Sequence, residues 1–409
     1  MRHLLPRIDN RQSAICNLQS ALLALALVER VWKHLAVVRF FRRPSNSEGL
    51  GVSRSLVSII QPILSGDPAL AGGLAANLDA PSAYRREFLW LVDTDDAAAQ
   101  AICADLIASH PQVDVRMILL PPPAVTENPK LIKLVAGARA AQGEIICVLD
   151  DDTRMPPYGL EQLLPALDTP GVGLAFGLPY YVSFDSIWSA LVACFVNSNS
   201  LMTYLPYASL SEPLTINGMC YALRRDVLEA IGGFGGLEHI VADDFAVAQR
   251  VRAGGYRLVQ TGLRHAIATT IDGPGAYARI IQRWLIFPRE SLMRHLAPRK
   301  LALFYGVTLM PLAGPWLALL GIFGRGPNRA LGLAYLVYSY VIFAHLEAAY
   351  LGNPTPRRWR WLVPFVYLLT PIQALAALLS PQRINWRGHL IAVEPGGGIR
   401  ILRHRTPLV

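Results

Sequence analysis

The sequence predicts an α/β domain, built on a Rossmann-like parallel or mixed sheet and held between apolar helices at its N- and C-terminal ends. Three observations carry this prediction. Short apolar runs alternate with helical patterns between residues 55 and 170, as a parallel sheet with covering helices requires. Two of those runs end in acidic clusters, Asp93-Thr94-Asp95-Asp96 and Asp150-Asp151-Asp152. Three segments, 301–323, 330–351 and 361–380, are long and nearly uncharged, which makes each a membrane-span candidate.

The N-terminal stretch 14–28 (AICNLQSALLALALV) is apolar but short for a full span. No small-residue cleavage site follows, so it reads as a single span or an amphipathic surface helix. Arg42 to Arg54 is polar and reads as a linker. The strands follow at Val57–Ile60, Phe88–Val92, Val115–Leu119 and Ile145–Leu149, with helical patterns at Ala97–Ser109 and Lys130–Ala141. Pro121-Pro122-Pro123 ends the third strand in a loop. Residues 185–210 are apolar and aromatic, suited either to a core or to a membrane-facing surface. Among the three C-terminal segments, Pro311, Pro315, Pro364 and Pro371 are expected to kink or break two. The tail from Pro381 is basic; Arg387–Ile391 reads as strand and Gly396-Gly397-Gly398 as a turn. These features divide the chain into 1–54, 55–290, 291–380 and 381–409.

Composition agrees with membrane attachment. The 409 residues are 53% hydrophobic and 16% charged, below the quarter usual for soluble domains. The net charge of +9 clusters beside apolar stretches (Arg39, Arg42, Arg43; Arg357, Arg358, Arg360). That placement suits an anionic cytoplasmic leaflet, and no nucleic-acid motif accompanies it. The five cysteines are scattered with no CxxC pair, which argues for reduced thiols rather than a disulfide framework or zinc site.

Carboxylates at the C-terminal ends of parallel strands sit where α/β sheets bind ligands. They are hard oxygen ligands, suited to Mg2+ or Mn2+ bridging phosphates. Three adjacent acids at Asp150–Asp152 repel one another unless a cation or a helix terminus compensates. Asp243-Asp244 and Arg283-Trp284 complete the set of unusual clusters. The residues alone imply a metal-dependent enzyme acting on a phosphate-bearing substrate such as a nucleotide-sugar.

In order and spacing, several stretches resemble the ceramide glucosyltransferases, a branch of the inverting family-2-like glycosyltransferases with a GT-A fold. They are VSIIQPILSGDPAL at 57–70, VDTDDA at 92–97, ENPKL at 127–131 and GEIICVLDDDTRMPP at 143–157. VGLAFGLPYY at 172–181, NGMCYALRRDVLEAIGGF at 217–234, VADDFAVAQRVRAGGYR at 241–257 and QRW at 282–284 continue the series. The resemblance implies that Asp93 contacts the uracil and ribose of a UDP-sugar. It places Asp150 and Asp152 on the DxD pair that shares a divalent cation with the diphosphate, Asp151 being the unassigned member. It makes Asp244 the base that removes the acceptor hydroxyl proton, although Asp243-Asp244 also suit a helix N-cap. It sets Arg283 on the leaving diphosphate and Trp284 on the acceptor wall. The first position of that Q/R-x-x-R-W motif is Ile280 here, with Arg279 or Gln282 as the neighbour to replace it. Lys130 of Asn128-Pro129-Lys130 is implied to meet a phosphate or the uracil edge. Asn217-Gly218 gives a turn on the acceptor side. His265 is a possible third metal ligand or a structural histidine, and Asp95 and Asp96 suit solvated acids of a helix start.

The implied activity is transfer of a hexose from a UDP-sugar to a lipid hydroxyl (ceramide-like, hopanoid or another lipid alcohol), with inversion. A polysaccharide synthase, a polyprenyl-phosphate glycosyltransferase and an inactive sugar-nucleotide-binding scaffold are the alternatives. The partners are then the donor, the lipid acceptor and the membrane, with a multi-pass chain and a cytoplasmic catalytic domain (the inner membrane in a bacterium). A basic tail on that same face leaves one C-terminal segment not crossing, and Pro311-x-x-Gly314-Pro315 makes 301–323 the expected re-entrant one. Trp386-Arg387 would then lie near the catalytic domain.

Overall fold

The computed structural model describes residues 5–43, 55–287, 296–324 and 326–406. Most of the expected linker falls outside them. The chain opens on one long helix, α1 (Leu5–Arg42). The sheet domain follows in the order β1 (Leu56–Pro62), α2 (Leu70–Asp79), β2 (Arg85–Asp93), α3 (Ala97–Ser109), β3 (Asp114–Leu120), α4 (Pro129–Ala140), β4 (Ile145–Leu149) and the short β5 (Thr153–Arg154). It continues with α5 (Gly159–Leu163), β6 (Val172–Tyr181), α6 (Ile187–Asn199), α7 (Leu205–Leu210), β7 (Cys220–Arg224) and α8 (Arg225–Ala230). The last elements before the bundle are α9 (Asp243–Ala253), β8 (Arg257–Ile267) and α10 (Pro274–Phe287). Three long helices, α11 (Pro298–Ile322), α12 (Pro327–Tyr350) and α13 (Leu362–Leu379), lead to a hairpin tail of β9 (Arg383–Trp386), β10 (His389–Val393) and β11 (Ile399–Arg403).

Eight strands form one mixed sheet in the order β3-β2-β1-β4-β7-β6-β8-β5. The first four are mutually parallel, with β2 and β4 on either side of β1. Strand order reverses there, so a crevice opens at the strands' carboxyl ends. Beyond β4 the sheet departs from the parallel pattern: β7 runs antiparallel to both β4 and β6. Strand β4 is buried at every position, matching its unbroken apolar run. Helix α4 begins where Asn128 accepts hydrogen bonds from the Lys130 and Leu131 amides, with Pro129 in the first turn. It crosses β1 so closely that a Cβ on Gly137 would lie 2.6 Å from Ile60 Cγ2. That packing fixes which face of α4, and hence which lysines, reach the crevice.

The segment 185–210 resolves as core. Helix α6 buries most of its length in a cluster shared with Ile342, Phe343 and Leu346 of α12 and Val363 and Val366 of α13. It is the seam between sheet and helix bundle.

In the bundle, two expectations are corrected. Helix α1 is far longer than the apolar run 14–28, because the charges that interrupt the pattern turn inward. Arg30 and Lys33 are buried, while Leu18, Leu25, Val28, Val31 and Leu35 are exposed on the opposite side. Helix α11 is not broken at its prolines but runs on through Pro311 and Pro315. Pro311 has no N–H to offer the Val307 carbonyl four residues back; Lys33 Nζ donates to that carbonyl instead, at 2.9 Å. By length and composition α11, α12 and α13 each suffice to cross a membrane.

The tail lies on the sheet domain. Backbone hydrogen bonds join Val241 to Gly397, Ile399 to His239 and Ile401 to Val125. The expected strand over Arg387–Ile391 is present but starts two residues later, as β10, because Arg387 (φ 51°) and Gly388 (φ 81°) form a turn. Two successive left-handed residues fit the right-handed twist of a two-residue hairpin. The Gly396–Gly397 turn stands as expected, both at positive φ.

Candidate active site

At the carboxyl ends of β1 and β4 lies a cleft of about 370 Å³. The sheet supplies its floor, α9 and α10 one wall, and the hairpin turn of the tail another. Of the expected site residues, Lys130, Asp150, Asp152, Asp244, Arg283 and Trp284 all border it. Asp93 does not. It ends β2, 3% exposed, with Oδ1 2.9 Å from Lys133 Nζ. Burial pushes its carboxyl up, and Lys133 only partly offsets that. Lys133 was not anticipated. It stands three residues after Lys130 on the same helical face, a spacing that marks it in retrospect.

Lys130 joins the two halves of the cleft. Its ammonium lies 2.7 Å from Asp150 Oδ1 and 3.1 Å from Asp243 Oδ2, and donates to the Gly218 carbonyl at 2.8 Å. Burial acts to lower its pKa, but Asp150 and Asp243 override that and hold it above its ordinary range. The contact needs a glycine opposite: a Cβ on Gly218 would come within 3.2 Å of Asp243 Oδ2 and 3.1 Å of Asp244 Cβ.

The three acids after β4 have three different surroundings. Asp151 is held by the tail and the β1 loop. It accepts from the Leu64 amide at 2.8 Å and from both terminal nitrogens of Arg387, at 2.8 and 3.3 Å. Asp152 accepts only hydroxyl donors, Thr269 at 3.1 Å and Thr153 at 3.2 Å. Burial, then Asp151 and Asp150, push its carboxyl up to about 7. Asp150 pairs with Lys130, as above.

Asp243 and Asp244 occupy the first turn of α9, one position inside the expected N-cap, which is Ala242. A first-turn carboxylate is favoured by the helix dipole. Asp244 nevertheless rises to about 7, through burial first and Asp243 second. Asp96, expected to be solvated, is fully buried: it caps α3, accepts from Ser65 and pairs with Arg405 of the tail at 3.1 Å.

Helix α10 presents Ile280, Arg283 and Trp284 to the cleft. Neither Arg279 nor Gln282 takes the place of Ile280 on that wall, so the first motif position is apolar here. The Arg283 Nε is buried with no hydrogen-bond partner among the described residues. Trp284 is wedged edge-on to Tyr181 (6.0 Å between ring centroids) and stacked on Phe195 at 6.1 Å. His265 is fully buried, has no hydrogen-bond partner on either ring nitrogen, and does not border the cleft, which removes it from consideration as a metal ligand.

Sequence reading missed Tyr181, Thr269 and Asp67 on this wall, and placed Trp386-Arg387 only in the neighbourhood. Tyr181 closes the stretch 172–181 and Asp67 lies within 57–70, but neither stands out there, and Thr269 lies outside every such stretch.

Six aspartates (67, 150, 151, 152, 243 and 244) border the cleft against three cations (Lys130, Arg283 and Arg387). Fully ionised, they would leave an excess of three negative charges before any anionic substrate arrives, and the raised carboxyls of Asp152 and Asp244 reflect that crowding. A hard divalent cation between Asp150 and Asp152 fits this donor set and this excess. Among the described residues no three histidine, cysteine or acidic side chains converge as a ready-made cage. Substrate oxygens would have to complete the coordination.

One solved structure similar to this chain is the mannosyltransferase PcManGT from Pyrobaculum calidifontis, in complex with GDP-Man and Mn2+. It has a TM-score of 0.51 and 17% sequence identity, covering 89% of this chain and 97% of that one. At that identity the likeness establishes a shared glycosyltransferase fold. The profile of Glycosyl transferase family 21 matches residues 18–399, from within α1 to the start of β11. That match spans sheet, bundle and hairpin alike, and the chain belongs to glycosyl transferase family 21.

Proposed function

We propose that the protein transfers a hexose from a UDP-sugar to the hydroxyl of a membrane lipid, with inversion and with the help of a divalent cation. The observation that carries this reading is the convergence of Asp150, Asp152, Asp244, Arg283 and Trp284 on one cleft beside a bundle of membrane-length helices.

Asp150 and Asp152 would hold Mg2+ or Mn2+, which when bound neutralises charge on the departing diphosphate. Arg283, with its buried Nε unpartnered, is free to donate to that diphosphate. Asp244 stands across the cleft as the base for the attacking hydroxyl. Trp284 and Ile280 give the acceptor side an apolar wall. Lys130, engaged by two carboxylates and a carbonyl, holds the acid clusters in place, and phosphate contact is secondary for it. A hydroxyl acceptor needs such a base, whereas a phosphate acceptor is already anionic, so Asp244 favours a lipid alcohol over a polyprenyl phosphate.

The same reading sets the topology. The tail rests on the sheet domain, so an even number of C-terminal helices crosses. The start of α13 is tied to the sheet domain, where Arg358 and Trp359 donate to the Phe184 carbonyl, and its end shares a cluster with Ile384 and Trp386 of the tail and Val241 and Ala242 of the sheet domain. Helix α13, rather than the expected 301–323, is therefore the non-crossing one. α11 and α12 cross as a pair beside α1, with the basic ends on the cytoplasmic side.

The test is incubation of membranes carrying the protein with labelled UDP-sugars and native lipid extract, followed by mass spectrometry of the lipids. A hexosylated lipid alcohol is expected. Label recovered only as free sugar or polymer would reject the reading.

A further inference from the structure

Strand β6 runs to Tyr181, but β7 pairs with it only at Leu174–Phe176. On that side the last residues of β6 have no strand beside them. Asn197, fully buried near the end of α6, fills the gap at Tyr181. Its Oδ1 accepts the Tyr181 N–H at 2.8 Å and its Nδ2 donates to the Tyr181 carbonyl at 3.3 Å. One side chain thus makes both hydrogen bonds that a neighbouring strand would make.

The same Nδ2 donates to Glu347 Oε1 of α12 at 3.3 Å. Glu347 is 3% exposed and forms no ion pair among the described residues. It also accepts from the Thr355 amide (2.8 Å) and hydroxyl (2.7 Å). A carboxylate only accepts. It therefore fixes which end of the Asn197 amide turns toward it, and leaves Oδ1 for the Tyr181 N–H. Tyr181 borders the cleft edge-on to Trp284, and Trp284 stacks on Phe195 of the same α6.

We propose that Asn197 is a positioning residue for the acceptor side of the cleft, oriented by Glu347, so that the helix bundle itself sets Tyr181 and, through it, Trp284. This rests on the transfer reading above.

The test uses full-length protein in detergent, UDP-sugar and native lipid extract, with the apparent KM for each substrate measured at equal folded concentration. N197D places an acceptor against both Glu347 and the Tyr181 carbonyl. It is expected to lower kcat/KM for the extract on the order of tenfold or more, because small displacements of positioned groups are costly. Donor KM should change less than acceptor KM, since Tyr181 reaches the donor side only indirectly, through the Thr269 that donates to Asp152. In N197D/E347Q the donor and acceptor roles at the two positions are exchanged, and part of the loss should return. E347Q alone, of unchanged volume, serves if N197D does not fold, and should show the same split more weakly. Unchanged constants for the folded variants, or equal losses for donor and acceptor with no rescue, would overturn the proposal. Absence of transfer by the unaltered protein would instead overturn the transfer reading.

Discussion

Buried charge in the helix bundle and buried charge in the cleft are handled differently. In the bundle, Lys33 is bound on two sides, by Glu29 at 2.6 Å and by the Val307 carbonyl. Arg30 donates to the Tyr335 hydroxyl and lies over the Tyr335 and Tyr367 rings at 5.4 and 5.2 Å. Each cation has its partners within α1, α11, α12 and α13. In the cleft, Asp152 has two hydroxyls, Asp244 has the amide of its own successor, and the Arg283 Nε has no partner among the described residues. Burial of charge is common to both regions; compensation is not. The cleft keeps a negative excess at high electrostatic cost, and the proposed role as a cation and substrate site would account for its persistence. The bundle's charges are explained by the fold alone.

Removing a buried charge from each region should therefore have opposite consequences. The largest effect is expected for Asp152→Ala: near-complete loss of turnover with little loss of folding stability, because a repulsive neighbour of Asp150 and Asp151 is gone. Excess chelator should mimic it in the unaltered protein, and full activity under chelation would reject the metal assignment. A pH profile sharpens the contrast. A base acts only when unprotonated, and Asp244 is pushed up to about 7, so kcat should rise with pH through about 7 and level off above. A profile already flat from pH 5 would show that another group limits the reaction.

In the bundle the order of effects reverses. Lys33→Met strands the Val307 carbonyl and leaves Glu29 only its longer pair with Arg30 at 3.7 Å, and should cost about 3–5 kcal/mol of stability, the range for breaking a buried pair. The protein that remains folded should keep its kcat. Thermal unfolding in nanodiscs, with and without a second Glu29→Gln change, measures this; a double variant no more stable than the single one would contradict the pairing. The smallest effect is expected at a compensated charge inside the sheet domain. Glu87 is fully buried and accepts from Ser58, Arg116 and the Gln142 amide. Burial alone would raise its pKa, but these donors hold it below the ordinary carboxylate value. Its stabilisation is thus complete above that ordinary value and fades as pH falls through the lower folded one. Glu87→Gln should cost about 1–3 kcal/mol at neutral pH and flatten the acid limb of the stability curve.

The same contrast explains what was legible in the sequence. The strand ends and acid clusters could be read because each is local: a five-residue apolar run and the acids beside it fix Asp150–Asp152 at the mouth of the sheet. The bundle was obscured because its decisive contacts are remote. Lys33 meets Val307 across 274 residues, so neither the continuity of α11 nor the inward turn of the α1 charges shows in any window. Lys133 was missed although Lys130 was found, since only the crossing of α4 over β1 brings it to Asp93. The Arg387-Gly388 turn lacks an Asn-Gly signature, and its grip on Asp151 spans 236 residues.

The central claim, that the uncompensated carboxylates are catalytic and not structural, is tested most directly with Asp244→Asn. Turnover on UDP-sugar and native lipid extract should fall about a hundred- to ten-thousand-fold, the span of general-base contributions, with UDP affinity and unfolding temperature unchanged. Near-normal turnover would contradict the claim for Asp244 and pass the role to another residue, Asp243 first.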